Sequence, residues 1–164
     1  MKIQVGRNEL LSALQAVVGV VERRQTLPVL ANFLLEACED ELIVTGTDLE
    51  LELVARAQVQ NLSPGRVTVP ARKLYDICRG LPEGAQITLE AAADRATLRS
   101  GKSRFSLATL NADEYPAMGA VTDGKLLTLK RSELKTLLEK TQFAMAQQDV
   151  RYDLNGLLFD ANAE

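Results

Sequence analysis

Residues 3–37, IQVGRNELLSALQAVVGVVERRQTLPVLANFLLEA, and residues 127–161, LTLKRSELKTLLEKTQFAMAQQDVRYDLNGLLFDA, decide the fold, because one superimposes on the other. A shift of 124 positions puts Ile3 on Leu127, Arg7 on Arg131, Glu9 on Glu133, Leu10 on Leu134 and Leu14 on Leu138. Without a gap, Leu30 then falls on Leu154, Leu34 on Leu158 and Ala37 on Ala161. Two unrelated amphipathic helices share a few leucines, but the segments behind them have no reason to stay in register. The match is therefore read as an internal repeat.

Each copy predicts the same order of elements. A short alternating strand (Ile3, Val5; Leu127, Leu129) leads into a helix, whose apolar side in the first copy is Leu10, Leu11, Leu14, Val17, Val18 and Val21. Asn8 and Ser132 are expected as N-caps, with Glu9 and Glu133 in the first turn. A polar turn follows, then another apolar strand with Leu30 and Leu34, or Leu154 and Leu158. A weaker copy lies between, in VTVPARKLYDICRGLP, residues 67–82. There Val67 and Val69 alternate, Pro70 suits a first helical turn, Leu74, Ile77 and Cys78 share a face, and Gly80 with Pro82 ends the helix. Its offset of 64 from Ile3 is about half of 124, so the unit is expected to consist of two half-units, each a helix plus strands. The expected class is α+β, with two helices per domain inside antiparallel sheets. A first domain is placed at residues 1–120, and residues 121–164 are read as the incomplete start of a second, the chain being expected to be a fragment.

Composition excludes several functions. The 164 residues are 46% hydrophobic and 25% charged, an ordinary globular balance. Histidine, the commonest general base, is absent. The two cysteines, Cys38 and Cys78, fit no metal spacing and read as buried, reduced thiols. No apolar run approaches the roughly 18 residues of a membrane span, and Arg7 and Glu9 interrupt any signal peptide, so a cytoplasmic location without membrane partners is expected. The net charge of −3 advertises no global attraction to nucleic acid. Local segregation is another matter. Arg7, Gln15, Arg72, Lys73, Arg79, Arg131, Lys135 and Lys140 lie opposite the apolar stripes of the helices, and Arg23 and Arg24 lie in the turn after the first. The acids Glu36, Glu39, Asp40, Glu41, Asp48, Glu50, Glu52, Glu90, Asp113 and Glu114 gather in strands and connectors, although Glu9, Asp76, Glu133 and Glu139 also sit on helices. A helical surface of this kind suits sequence-blind contact with phosphates.

The catalytic alternative is TDLELE, residues 47–52. On a strand, Asp48, Glu50 and Glu52 share a face and could hold Mg²⁺ as nuclease carboxylates do; otherwise they are a solvated face, with Leu49, Leu51 and Leu53 turned to the core. A repeat-built scaffold that binds only proteins is the third reading.

TLPVLANFLLEA (26–37), IVTGTDLELELVAR (43–56), VPARKLYDICRGLP (69–82), SGKSRFSLATL (100–110) and QFAMAQQDVRYDLNGLLFD (142–160) together resemble the bacterial DNA sliding clamp family, the beta subunit of DNA polymerase III. The resemblance covers essentially the whole chain: the first of three similar domains and the opening of the second. It implies a non-catalytic processivity factor, without cofactor or metal. In that family two subunits close head to tail around double-stranded DNA and tether the DNA polymerase III catalytic subunit, after loading by a clamp loader. By the same resemblance Arg24, Arg72, Gln148, Arg151 and Tyr152 are implied to meet DNA, with Asp153 standing where the family usually has a second Tyr. Phe105 and Leu107 are implied as the apolar part, and Lys73, Arg95, Lys102 and Arg104 as the basic part, of the ring-closing interface. Arg151 and Leu154 are implied at one edge of the pocket for the linear peptide motif of polymerases and loader.

Overall fold

A computed structural model describes residues 1–21, 27–92, 94–116 and 126–161. Its chain divides into two units, Met1–Gly119 and Ala120–Glu164. The first unit runs β1 (Lys2–Gly6), α1 (Arg7–Val17), β2 (Asn32–Cys38), β3 (Glu41–Thr47), β4 (Glu52–Gln58), β5 (Gln60–Ser63), β6 (Gly65–Pro70), α2 (Ala71–Gly80), β7 (Gln86–Ala92), β8 (Arg95–Ser100) and β9 (Ser103–Ala108).

The half-unit reading is realised in the order of strands. One antiparallel sheet runs β5-β1-β7-β8-β9 and the other β4-β3-β2-β6. The first strand of each half thus joins the three-stranded meander of the other half: β1 lies beside β7, and β6 beside β2. Neither half can bury its apolar faces alone, and the exchange welds them into one core. That core takes Ile3 and Val5 from β1, Leu10 and Leu14 from α1, Leu74 and Cys78 from α2, and Phe33, Val44, Val69, Leu89 and Leu98 from the sheets. α1 packs on β3 and β4, α2 on β2 and β6, and the helices touch each other. A single fully buried leucine is worth about 1.5–3 kcal/mol.

One close approach depends on glycine. A Cβ on Gly46 of β3 would stand 2.6 Å from Cγ1 of Val17 and 3.0 Å from Cγ1 of Val20, so the missing side chain lets the end of α1 settle on the sheet.

In the second unit α3 spans Arg131–Thr141, followed by 3-10 turns at Gln142–Ala144 and Tyr152–Asn155. In the first unit α1 is followed by 3-10 turns at Val18–Val20 and Pro28–Ala31. All three elements coincide, residue for residue, at the shift of 124. The strands do not: residues 127–129 and 156–161 form none. A helix closes its hydrogen bonds within itself, whereas a strand needs a neighbour, and none is present among the described residues of this unit. Leu137, Leu138 and Met145 are exposed and Leu134 is half-buried.

Two further expectations are corrected. Asn8 and Ser132 are not N-caps: Gly6 and Lys130 hold those positions, and Asn8 and Ser132 lie inside the helices. The strand enters α1 with no spare residue between, and the carboxylate of Glu9 folds back over Gly6 at the positive end of the helix. Within TDLELE, residues 48–51 are not strand but a turn that joins the end of β3 at Thr47 to the start of β4 at Glu52: Asp48 Oδ1 accepts the N–H groups of Glu50 (2.9 Å) and Leu51 (2.7 Å). Leu49 adopts a left-handed φ of 80°, and both Leu49 and Leu51 are half exposed instead of reaching the core.

Candidate nucleic-acid interface

The exposed side of α1 offers Asn8, Glu9, Ser12 and Gln15; that of α2 offers Arg72, Lys73, Asp76 and Arg79. Several of these cations are already engaged. Arg7 donates through Nε to the carbonyl of Cys78 (3.0 Å), through Nη2 to that of Arg79 (3.2 Å) and through Nη1 to Asn8 Oδ1 (3.0 Å). It ties the start of α1 to the end of α2, where unpaired carbonyls and the negative end of the dipole favour a cation. Arg79 pairs with Asp76 at 3.4 Å and lies 5.8 Å from the Tyr75 ring centroid. Arg72 donates through Nη2 to the carbonyl of Val21 at 2.8 Å, bracing the base of the segment that follows α1. Arg24 is in that segment and lies outside the described residues. The helical surface is therefore only weakly cationic: Arg72 and Lys73 keep exposed positive ends, Arg79 is exposed but offset by Asp76, and Arg7 serves the fold.

The second group is the loop 148–155 of the other unit. Gln148 sits in the left-handed region at φ 60° and is exposed, and Tyr152 is 87% exposed. Arg151 is paired with Asp149 at 3.0 Å. The hydrogen bonds from the Arg151 side chain, then from its backbone N–H, hold the Asp149 carboxyl below the usual carboxylate range; the same pairing raises Arg151. Leu154 is exposed beside Asp153, Met145 and Leu157 around a shallow surface depression.

The third group is the edge strand β9, whose outer side pairs with no strand among the described residues. The face of β8 and β9 turned away from the core presents Arg95, Arg99 and Arg104, and the hairpin between them presents Lys102. Arg99 and Arg104 stand directly opposite in register. Among the described residues neither has an acidic partner; Arg95 donates to Ser106 Oγ at 3.3 Å. Sequence reasoning did not single out Arg99, although its period-two spacing from Arg95 is visible in RATLRS. Phe105 is half-buried against the core. Leu107 is only 4% exposed, so of the two apolar residues Phe105 is the one that reaches the surface. Lys73 is on α2, not on this edge.

Among the described residues, no cluster of three His, Cys, Asp or Glu side chains could hold a metal ion. With Asp48 and Glu50 in a turn and only Glu52 on a strand, the carboxylate-metal nuclease reading loses its shared strand face. Among the same residues no helix is long and apolar enough to cross a membrane.

Two swapped half-units and a repeat at 124 residues define a class of protein made of repeated α+β modules. Residues 1–119 match the family described as DNA polymerase III beta subunit, N-terminal domain, and the chain belongs to that family. Over an alignment of 165 positions it is 52% identical to the beta sliding clamp of Escherichia coli K12, covering 100% of this chain and 45% of that protein. The Pseudomonas putida beta sliding clamp is 48% identical, over 99% of this chain and 44% of its own length. The crystal structure of the Pseudomonas aeruginosa DNA polymerase III subunit beta superimposes with a TM-score of 0.90 at 47% identity, over 95% of this chain and 43% of that one. A DNA polymerase sliding clamp from Caulobacter crescentus superimposes with a TM-score of 0.91 at 40% identity, over 95% of this chain and 43% of that one. The chain thus spans less than half the length of the relatives it matches.

Proposed function

We propose that this chain is the first domain, and the start of the central domain, of a non-catalytic processivity factor: a sliding clamp that encircles double-stranded DNA and tethers a replicative polymerase. The observation that carries this reading is similarity to beta sliding clamps that runs unbroken through both units. In it, α1 and α2 line the inside of a ring, and Arg24, Arg72, Gln148, Arg151 and Tyr152 approach the duplex. The weak charge of the helical surface supports the reading. Each phosphate contact adds a salt-sensitive increment of affinity, and a ring that must move along DNA gains nothing from many of them.

The ring would close head to tail through the open edge of β9. There Phe105 supplies the apolar contact with Leu107 behind it, and Arg95, Lys102 and Arg104, joined by Lys73 from α2, meet acids on the third domain of a second subunit. A cationic edge suits an acidic partner and disfavours pairing with its own copy. Arg151 and Leu154 would form one edge of the pocket for the peptide motif of the polymerase III catalytic subunit and the clamp loader, in the cytoplasm.

The test is a chimaera in which residues 1–164 replace the matching segment of the Escherichia coli clamp, supplied with clamp loader and polymerase on a primed circular template. Long extension products from the chimaera, reduced to short ones by Phe105→Ala with Arg104→Glu, are expected. Extension no longer than without any clamp would refute the proposal.

A further inference from the structure

Asp149 has no part in any of the readings above, yet the loop 148–155 is organised around it. Its carboxylate accepts three hydrogen bonds from one residue: Arg151 N–H to Oδ1 at 2.8 Å, Nε to Oδ1 at 3.1 Å and Nη2 to Oδ2 at 3.0 Å. Nε and Nη2 form one of the edges with which an arginine grips a phosphate in a two-point fork. That edge is taken.

The carboxylate is also held where it is. Asn155 Nδ2 donates to the carbonyl of Asp149 at 2.9 Å, and the Asp149 N–H donates to Asn155 Oδ1 at 2.9 Å. This side-chain amide stands in for the neighbouring strand that the loop lacks. The Asp149 side chain is 26% exposed and that of Arg151 72%, so the acid is the anchored partner and the guanidinium faces water.

We propose that Asp149 is a positioning residue that occupies the side-on fork edge of Arg151, so that this arginine can offer a DNA phosphate only its end-on Nη groups and brings them with its charge already balanced. The inference rests on the reading of residues 148–152 as facing DNA. With Asp149 and Asp153 flanking Arg151, the loop carries hydrogen-bond donors but no surplus positive charge. It touches the duplex without adding a full counterion-release increment to the affinity. Of the polar side chains in the loop, Gln148 and Tyr152 can also donate to phosphate oxygens, and the duplex is the partner this set favours.

The experiment compares the 164-residue chain with Asp149→Asn, Arg151→Gln and the double variant. Asp149→Asn keeps an oxygen for the Arg151 N–H and removes the charge. Two readouts are used: exchange of the Arg151 Nε–H by NMR without DNA, and binding of a short duplex across a salt series. In the parent a protected Nε–H is expected; in Asp149→Asn the oxygen that accepts it loses its charge and the Nη2 bond to Oδ2 is gone, so Nε–H exchange should quicken. The variant should bind the duplex about threefold more tightly at low salt, the worth of one exposed charge contact. Its salt slope should steepen by about 0.9, one additional phosphate. Arg151→Gln in the same chain should abolish the gain. Salt-dependent binding by the parent that Asp149→Asn leaves unchanged or weakens overturns the inference and leaves the DNA reading standing. An unprotected Nε–H in the parent also overturns it. A gain for an acidic peptide but not for the duplex overturns the phosphate assignment. No salt-dependent duplex binding by either chain overturns the DNA reading of this loop and the inference with it.

Discussion

Thr68→Val isolates what fixes the end of the first unit. Thr68 is fully buried in β6, and its hydroxyl is the centre of three hydrogen bonds. Oγ1 donates to the carbonyl of Leu110 at 2.8 Å and accepts from the Leu110 N–H at 2.9 Å and from Asn32 Nδ2 at 3.1 Å. Through them, and through the Tyr115 hydroxyl on the carbonyls of Thr45 (3.3 Å) and Asn32 (3.5 Å), residues 110–115 are strapped across the sheet β4-β3-β2-β6. Valine keeps the shape and removes the hydroxyl. The Leu110 groups are partly exposed and can turn to water, but Asn32 is buried, and its amide loses an acceptor. Such an orphan costs about 1–3 kcal/mol, and each lost bond about 1 kcal/mol net. The added methyl group returns about 0.8 kcal/mol. A loss of about 2–3 kcal/mol is expected in urea unfolding followed by circular dichroism, with Thr68→Ser closer to the parent. A Thr68→Val chain within about 0.5 kcal/mol of the parent, the range of an ordinary surface change, would refute the reasoning. So would a serine variant as costly as the valine one.

Gly46→Ala should destabilise the chain by about 1–3 kcal/mol in the same assay, because its Cβ would stand 2.6 Å from Val17. Cys38, at the end of β2, is exposed and not buried as expected, so a thiol reagent at neutral pH should modify it quickly and Cys78 only on unfolding, since burial pushes the Cys78 thiol up to about 12. Burial likewise pushes the Tyr115 phenol from 10.0 up to about 12. A raised folded pKa contributes stability that is whole below the unfolded value of 10.0 and is lost as pH rises from there towards about 12. The stability advantage of the parent over Tyr115→Phe should therefore shrink across that interval, which alkaline unfolding curves of the two chains will measure. Arg104→Glu turns the like-charged cross-strand pair with Arg99 into an attractive one. It should stabilise the isolated chain by about 0.2–1 kcal/mol while weakening ring closure, visible as monomer in light scattering of the chimaera.

Legibility in the sequence followed locality. Leu10, Leu14 and Val17 recur with helical spacing and do line the core, and the shift of 124 carried α1 and both 3-10 turns onto the second unit without error. Val67 and Val69 correctly announced the half-unit, but nothing in their neighbourhood says that β6 joins the other half's sheet, because strand order is set by partners distant in sequence. TDLELE misleads by its alternation: Asp48 can hydrogen-bond the backbone two and three residues on, and that local bond competes successfully with a strand. Arg7 reads as one more surface cation, and only the neighbouring end of α2 gives it its role. The resemblance named Arg151 but not Asp149, whose part depends on a loop geometry that spacing does not encode.

The claim that this chain serves a ring is tested most directly by topology. The chimaera carrying residues 1–164 would be loaded onto nicked circular DNA with clamp loader and ATP, washed at moderate salt, and the circle then cut once. Retention on the circle and release on cutting, as the protein slides off the free ends, is the predicted result. Retention on the linear product, or failure to load at all, would contradict the account.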